Sequence, residues 1–278
     1  MISTGKSIPY ILKTPTFYPL DGIPLASIVR ANSLLRLLSD FALPIATAVD
    51  VSDSSVHSLF LDGVTISDSS ISAIGTDVRI SDIHCQVGSG IDISQGTLAN
   101  MPDLNVSGVI QKEATGLVAC SKISVGQTMS INSYTIPKNL TQISVWAGNV
   151  SPYVGSGPLL SFSLSGGQGY RHKQVNNQFQ ATSYGTTSTA INPNGVGIDY
   201  TKGVVQTMAH DDDAGDFNVY FNTQSDYLSV SSGRCTPVTT TGLFMNGGNN
   251  MKCLADIVLD GTEYAEIVHN RLLKIFYP

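Results

Sequence analysis

Charge is what this sequence has least of. Lys, Arg, Asp and Glu together make 13% of its 278 residues, against roughly 25% in ordinary soluble domains, and Ser, Thr, Gly and Asn take their place. A surface solvated by hydroxyls and amides suits an extracellular, virion or packed assembly protein better than a cytosolic enzyme. The net charge is −6 and there is no run of Lys or Arg, so no field exists to hold a polyanion, which argues against nucleic acid as the main ligand. Cysteine is scarce as well. Cys85, Cys120, Cys235 and Cys253 stand far apart without a Cys-x-x-Cys pair, which argues against a zinc ribbon or a thioredoxin-like motif. Isolated reduced thiols are expected, with Cys235 and Cys253 the pair that one domain could bridge. No stretch of about 18 apolar residues occurs, and residues 1–20 lack an apolar segment followed by small cleavage-site residues; neither membrane insertion nor an export signal is expected. Asn105, Asn139 and Asn149 begin Asn-x-Ser/Thr triplets, which carry meaning only on a secretory route. The sequence has no His-Glu-x-x-His or Gly-x-Ser-x-Gly match and no evident pair of placed carboxylates, so no enzyme is expected.

What is present falls into two contrasting halves, in keeping with a length that, at about 150 residues per domain, allows two units. Residues 1–50 read as an arm followed by a helix. Pro9, Pro15, Pro19 and Pro24 favour an extended path. Ile28, Leu35 and Leu38 then recur near helical spacing, widened by Val29, Leu34, Leu37 and Phe41 and ended by Pro44, which predicts a helix over Leu25 to Ala42. So wide a stripe, with Arg30, Arg36 and Asp40 its only charges, must bury more than one side, either in a core or by docking in an oligomer. Residues 51–114 carry a repeat: Val51-Ser52-Asp53-Ser54-Ser55-Val56 returns as Ile66-Ser67-Asp68-Ser69-Ser70-Ile71, then as Ile80-Ser81-Asp82-Ile83, Ile93-Ser94-Gln95 and Val106-Ser107-Gly108. The starts are 15, 14, 13 and 13 residues apart. That spacing predicts short strands between tight turns, stacked like a shaft or intertwined with other copies, with Asp53, Asp68 and Asp82 solvated or bracing turns. A homo-oligomer follows from this reading, a trimer being favoured for a shaft.

From Gln142 onward the pattern is that of a β-sandwich. Ile143, Val145 and Ala147 alternate with Gln142, Ser144 and Trp146, and Leu160, Phe162 and Leu164 alternate with serines. Val204 to Ala209 and Phe217 to Asn222 flank the polar turn at 211–216, which predicts an antiparallel hairpin. The order of Ile143-Ser144-Val145-Trp146, the Thr207 to Gly215 hairpin leading to Val219-Tyr220-Phe221-Asn222, Leu243-Phe244-Met245-Asn246-Gly247-Gly248, and Ala255-Asp256-Ile257-Val258-Leu259 before Thr262-Glu263-Tyr264-Ala265-Glu266-Ile267 resembles the laminin-G-like, concanavalin-A-like jelly roll found at the ends of virus and phage fibres. The resemblance covers residues 115–278. It implies a final strand followed by a short helix, here capped by Thr262 with Tyr264, Val268, Leu272 and Ile275 on one face; Glu263 and Glu266 are then capping and solvated residues.

The resemblance also implies glycan or protein binding at rim loops or on the concave face, sometimes with calcium. Tyr170, Tyr184, Asn176 and Asn177 are aromatic and amide candidates for sugar contact, and Arg171 and His172, beside Lys173, are candidates for an acidic sugar. Asp211, Asp212, Asp213 and Asp216 form the carboxylate cluster a hard cation such as calcium needs, with a solvated hairpin tip as the alternative. The expected protein is a mostly β virion component, a bacteriophage fibre or spike mounted on other virion proteins through residues 1–50 and exposed on the particle surface. It carries a C-terminal receptor-binding sandwich; the alternative is a capsid decoration or collar protein that uses the same sandwich for subunit contacts.

Overall fold

A computed structural model of the chain describes residues 17–122, 126–148, 157–161, 170–175, 178–183, 186–187, 201–230, 232–233, 235–245 and 251–278; between 157 and 187 the description is of the backbone alone. The fold is a mostly antiparallel β-sandwich. One sheet runs, neighbour to neighbour, through Ile28–Ser33, Met251–Asp260, Leu140–Gly148, Val204–Asp211, Asp216–Phe221 and Gln224–Ser229. The other runs through Val56–Leu59, Ala46–Asp50 and Val78–Ile83. The edge of Val78–Ile83 meets both Ile93–Ser94 and Asp103–Val106. From Ile93–Ser94 the sheet continues to Met129–Ile136, Val238–Phe244, Gly157–Ser161, Tyr170–Val175, Gln178–Ser183 and Thr186–Thr187. Cys120–Lys122 bridges the two by pairing with Asp103 on one side and with Met251 to Cys253 on the other. Trp146, Met208 and Phe221 of the first sheet share one core with Ala48, Ile80, Ile131 and Phe244 of the second.

The first sheet is buried on both faces, which is why its central strands show almost unbroken burial. Its outer face, built from Ile143, Val145, Val205 and Ile257, is covered by Val268, Leu272 and Phe276 of the terminal helix Ala265–Phe276. Spacing of four places those three residues on one stripe, and Glu266 in the first turn and Lys274 in the last complement the helix dipole. The cap differs from expectation: Tyr264 occupies the N-cap position without a side-chain bond, and Thr262 contributes its carbonyl, accepting from Ala265 N–H at 3.1 Å. Glu263 and Glu266 are exposed.

Residues 25–42 are not a helix. A three-residue turn, Leu25–Ser27, leads directly into the strand Ile28–Ser33 against Met251–Asp260. The wide apolar stripe is two-sided burial: Leu34 enters the inter-sheet core, whereas Ile28, Ala31, Leu35 and Leu37 join the layer beneath the helix. The segment expected to be an arm is packed from Tyr18 onward, with Leu20 N–H donating to Leu37 O at 2.9 Å and Arg271 donating to Pro19 O at 3.3 Å; residues 1–16 lie outside the described residues.

The Ser/Asp repeat is likewise not a structural repeat. Its first copy is the tight turn between Ala46–Asp50 and Val56–Leu59, with Ser54 at φ 62°, where Asp53 Oδ1 accepts from Ser55 N–H at 2.8 Å. The second copy starts a helical turn, Asp68–Ser72, capped by Ser67 Oγ accepting from Ser70 N–H at 3.2 Å. The third lies inside Val78–Ile83 and the fourth holds Ile93–Ser94. The fifth turns the chain between Asp103–Val106 and Val109–Ile110, with Ser107 and Gly108 at φ 51° and 81°. These strands pair within the sandwich, and their ladders cross the boundaries expected at 50 and 114.

Candidate functional site

An exposed cleft lies where the helix was expected. After Ser33 the chain runs irregularly through Leu35 to Leu43 and faces the small hairpin Leu61–Asp62/Thr65–Ile66, which turns through Gly63 at φ 70°. Arg36 ties the two walls: its Nε donates to Gly63 O at 2.8 Å and its Nη1 to Phe41 O at 2.6 Å, while its backbone N–H donates to Val64 O at 2.8 Å. Ser39 is fixed from below by its N–H donating to Asp21 Oδ1 at 2.9 Å. The resulting cleft is about 310 Å³ and is lined by Arg36, Ser39, Asp40, Phe41, Phe60 and Leu61 with their neighbours. Phe60 is 51% exposed. The Asp40 carboxylate is exposed and makes no ion pair among the described residues. An open aromatic ring beside a guanidinium, a hydroxyl and a carboxylate can stack on a sugar face and bond its hydroxyls. The sequence signal was slight: a phenylalanine at the solvent position of Leu59-Phe60-Leu61, next to the Asp62-Gly63 turn.

The hairpin Val204–Asp211/Asp216–Phe221 forms where it was expected, but the fold gives its four Asp residues separate work. Asp211 Oδ1 accepts from the N–H groups of Asp213 and Ala214, both at 3.0 Å, and so braces the turn. Asp213 accepts from Asn139 Nδ2 at 2.9 Å and from Lys138 Nζ, and the hydrogen bond from Lys138 is the main reason its carboxyl is held below the ordinary value. Asp216 accepts from Tyr227 OH at 2.6 Å. Asp212 is fully buried and points inward. Among the described residues no three of these carboxylates lie within 4.8 Å of one another; the group that does is His210, Asp212 and Cys235.

Inside the sandwich, the face carrying Gln142, Ser144 and Trp146 is polar yet buried. Cross-strand register lines up Asn32, Asp256, Ser144 and Gln206, and beside them Arg30, Val258, Gln142 and Met208. Asp256 accepts from Arg30 Nη2, from Gln142 Nε2 at 2.8 Å and from Ser144 Oγ at 3.0 Å. The Arg30 guanidinium also lies 5.1 Å from the Tyr134 ring centroid of the opposite sheet. This network has no access to solvent, so it joins the sheets and fixes their register instead of meeting a ligand. A one-residue slip would turn all of it toward the terminal helix.

All four cysteines are free and buried. Cys253 faces Cys120 across neighbouring strands, not Cys235, and burial pushes the Cys120 thiol up to about 12. Of the sugar-contact candidates, Tyr170, Arg171 and His172 lie on the strand Tyr170–Val175, which pairs with Gln178–Ser183. Asn176, Asn177 and Tyr184 lie outside the described residues.

No protein-family model and no curated protein matches the chain. Its fold is similar to that of solved β-sandwich structures. One is an arabinofuranosidase complexed with arabinofuranosyl-α-1,2-xylobiose (10% identity, TM-score 0.61, 90% of this chain and 63% of that one). A GH54 α-L-arabinofuranosidase soaked with a cyclic sulfate inhibitor is alike to the same degree (11% identity, TM-score 0.62, the same shares). A botulinum neurotoxin serotype D ligand-binding domain in complex with N-acetylneuraminic acid is more distant (8%, TM-score 0.54, 90% and 51%). The chain spans less than two thirds of the length of these neighbours. At such identities the likeness shows the fold alone, a jelly-roll β-sandwich, and it takes in the first half of the chain as well as the second.

Proposed function

We propose that the chain is a structural virion protein, fibre-like or spike-like, that binds a cell-surface glycan in the cleft of Arg36, Ser39, Asp40 and Phe60. The observation that carries the reading is the exposed Phe60 ring, which lines one cleft together with Arg36, Ser39 and Asp40. At about 310 Å³ it sits at the small end of ligand pockets, roughly 300–1,000 Å³, and takes a terminal sugar. The reading is supported by two sugar-holding neighbours of different function that share the sandwich, and by the sparsely charged, hydroxyl-rich surface. Such a shallow site binds weakly alone; a homo-oligomer would convert it into avidity. The arabinofuranosidase neighbours make hydrolysis the competing outcome.

The test is a glycan array probed with the full-length chain, with calcium and with chelator, followed by mass spectrometry of any bound glycan for cleavage products. Selective binding that falls at least tenfold in Phe60→Ala and Asp40→Asn supports the cleft. Binding that survives both variants but is lost in Tyr184→Ala moves the site to residues 166–199. Cleavage products replace the adhesin reading with an enzymatic one, and silence from folded, multimerised protein refutes glycan binding in favour of subunit contacts.

A further inference from the structure

We propose that His210, Asp212 and Cys235 form a binding site for one zinc ion, at the buried end of the Val204–Asp211 hairpin. Three residue types that each supply one metal-binding atom converge there, and all are nearly inaccessible: 2%, 0% and 6% exposed respectively. Their ligand atoms lie within 4.8 Å of one another. Cys235 Sγ is 3.8 Å from His210 Nδ1 and 3.9 Å from Nε2. A tetrahedral ion bonded to sulfur at about 2.3 Å and to nitrogen at about 2.05 Å separates those two atoms by about 3.6 Å. The sulfur–nitrogen separation is thus near zinc-ligand spacing, and because Sγ is almost equally far from both ring nitrogens the imidazole must turn to aim one of them at the ion.

The surroundings hold each ligand in place. Alternation along Val204–Asp211 puts His210 on the inner face, opposite Phe217, whose ring centroid is 5.6 Å from the imidazole. Asp212 is anchored by its N–H donating to Asn139 Oδ1 at 2.9 Å and by its carbonyl accepting from Gly233 N–H at 3.2 Å. Its Oδ1 accepts from Cys235 N–H at 3.2 Å, which holds the carboxylate over the thiol. Lys138 Nζ lies 3.6 Å from Asp212 Oδ2 and approaches from the partly exposed side.

The donor set selects the metal. Calcium takes about 6–8 oxygen ligands, and one carboxylate beside sulfur and imidazole cannot supply them. Thiolate with imidazole suits zinc, and three protein ligands leave a fourth position for water. On binding, the Cys235 thiol gives its proton to solvent and the thiolate becomes the ligand. The ion would add a further link between the hairpin and the chain entering Val238–Phe244, beside the hydrogen bonds from Gly233 and Cys235 to Asp212.

The test uses the full-length chain, stripped of metal and titrated with cobalt(II) and zinc. Expected are one equivalent of tightly held zinc by elemental analysis, a thiolate-to-cobalt charge-transfer band that zinc abolishes and millimolar calcium does not, and a higher melting temperature with zinc. Cys235→Ser should remove the band and weaken zinc binding about 100-fold or more, while Cys120→Ser, off the site, retains both. Folded wild-type protein that shows no cobalt–sulfur band overturns the proposal, whatever the variants do. A band that survives Cys235→Ser overturns it too.

Discussion

Replacing Arg30 with Met removes the positive member of an ion pair whose two side chains have no contact with solvent. Asp256 would keep its bonds from Gln142 and Ser144 but would hold a buried charge with no counter-ion. Breaking such a pair costs about 3–5 kcal/mol. The two remaining donors place the expected loss near the lower end, about 3 kcal/mol, equivalent to a fall of about 5 °C in Tm for a chain of this size. Asp256→Leu should cost about as much, because it strands the guanidinium and removes the acceptor that Gln142 and Ser144 share. The double variant removes both charges, so its cost should fall short of the sum by about 2–3 kcal/mol. The assay is urea denaturation followed by the fluorescence of Trp146, the sole tryptophan, which is buried with its ring centroid 6.5 Å from that of Phe221. Additivity within about 0.5 kcal/mol would refute the claim that these charges are coupled across the sheet.

Two further predictions rest on the terminal helix. A methyl group at Gly203 would lie 2.2 Å from the Phe276 ring, so Gly203→Ala should destabilise by about 1–3 kcal/mol. Adding Phe276→Leu should recover part of that loss in thermal melts; no loss in the single variant would mean that the helix end is free to move. His269 is held below its ordinary pKa, first by burial, and is satisfied in its neutral form: Nε2 donates to Asn222 O at 2.7 Å and Nδ1 accepts from Thr207 Oγ1 at 2.8 Å. Below about pH 6.5 the unfolded chain takes up a proton that the folded chain refuses. The stability His269 lends is therefore full above that value and falls with pH until its folded pKa is reached, by about 1.4 kcal/mol for each tenfold difference in proton affinity. His84, raised by its hydrogen bond to Asp92, acts with the opposite sign: its contribution is full below about pH 6.5 and is lost as pH rises through its folded value. Denaturation from pH 7.5 to 5 should show the wild-type advantage over His269→Gln shrinking and that over His84→Gln growing; an unchanged gap for either variant refutes the assignment for that residue.

Local patterns were legible wherever one face met one environment. The alternation of Ile143, Val145 and Ala147, the hairpin around 211–216 and the stripe of Val268 and Leu272 each follow from a period that neighbouring residues share. The helix expected over Leu25 to Ala42 shows where this fails. Two-sided burial of a strand and its flanks fills a helical stripe as readily as a helix does, and only the partner strand, more than 200 residues away in sequence, distinguishes them. The Ser/Asp repeat failed for a related reason: a short hydroxyl-rich segment can brace a turn, cap a helix or sit in a ladder, and each copy took the form its neighbours imposed.

The candidate sites were less visible still. Phe60 and Asp40 line one cleft because Arg36 ties a loop to a hairpin, and that loop carried the apolar stripe that reads as a helix. The carboxylates at 211–216 read as one cluster because they are adjacent, yet their side chains leave the turn in different directions and find different partners. By itself the sequence determined the strand-rich class, the alternating strands of the second half and the closing helix, since these rest on periodicity. Only the tertiary structure decided which residues meet, bringing His210 and Asp212 to Cys235 and Arg30 to Asp256, because such meetings depend on long-range register and on burial from both sides of a sheet.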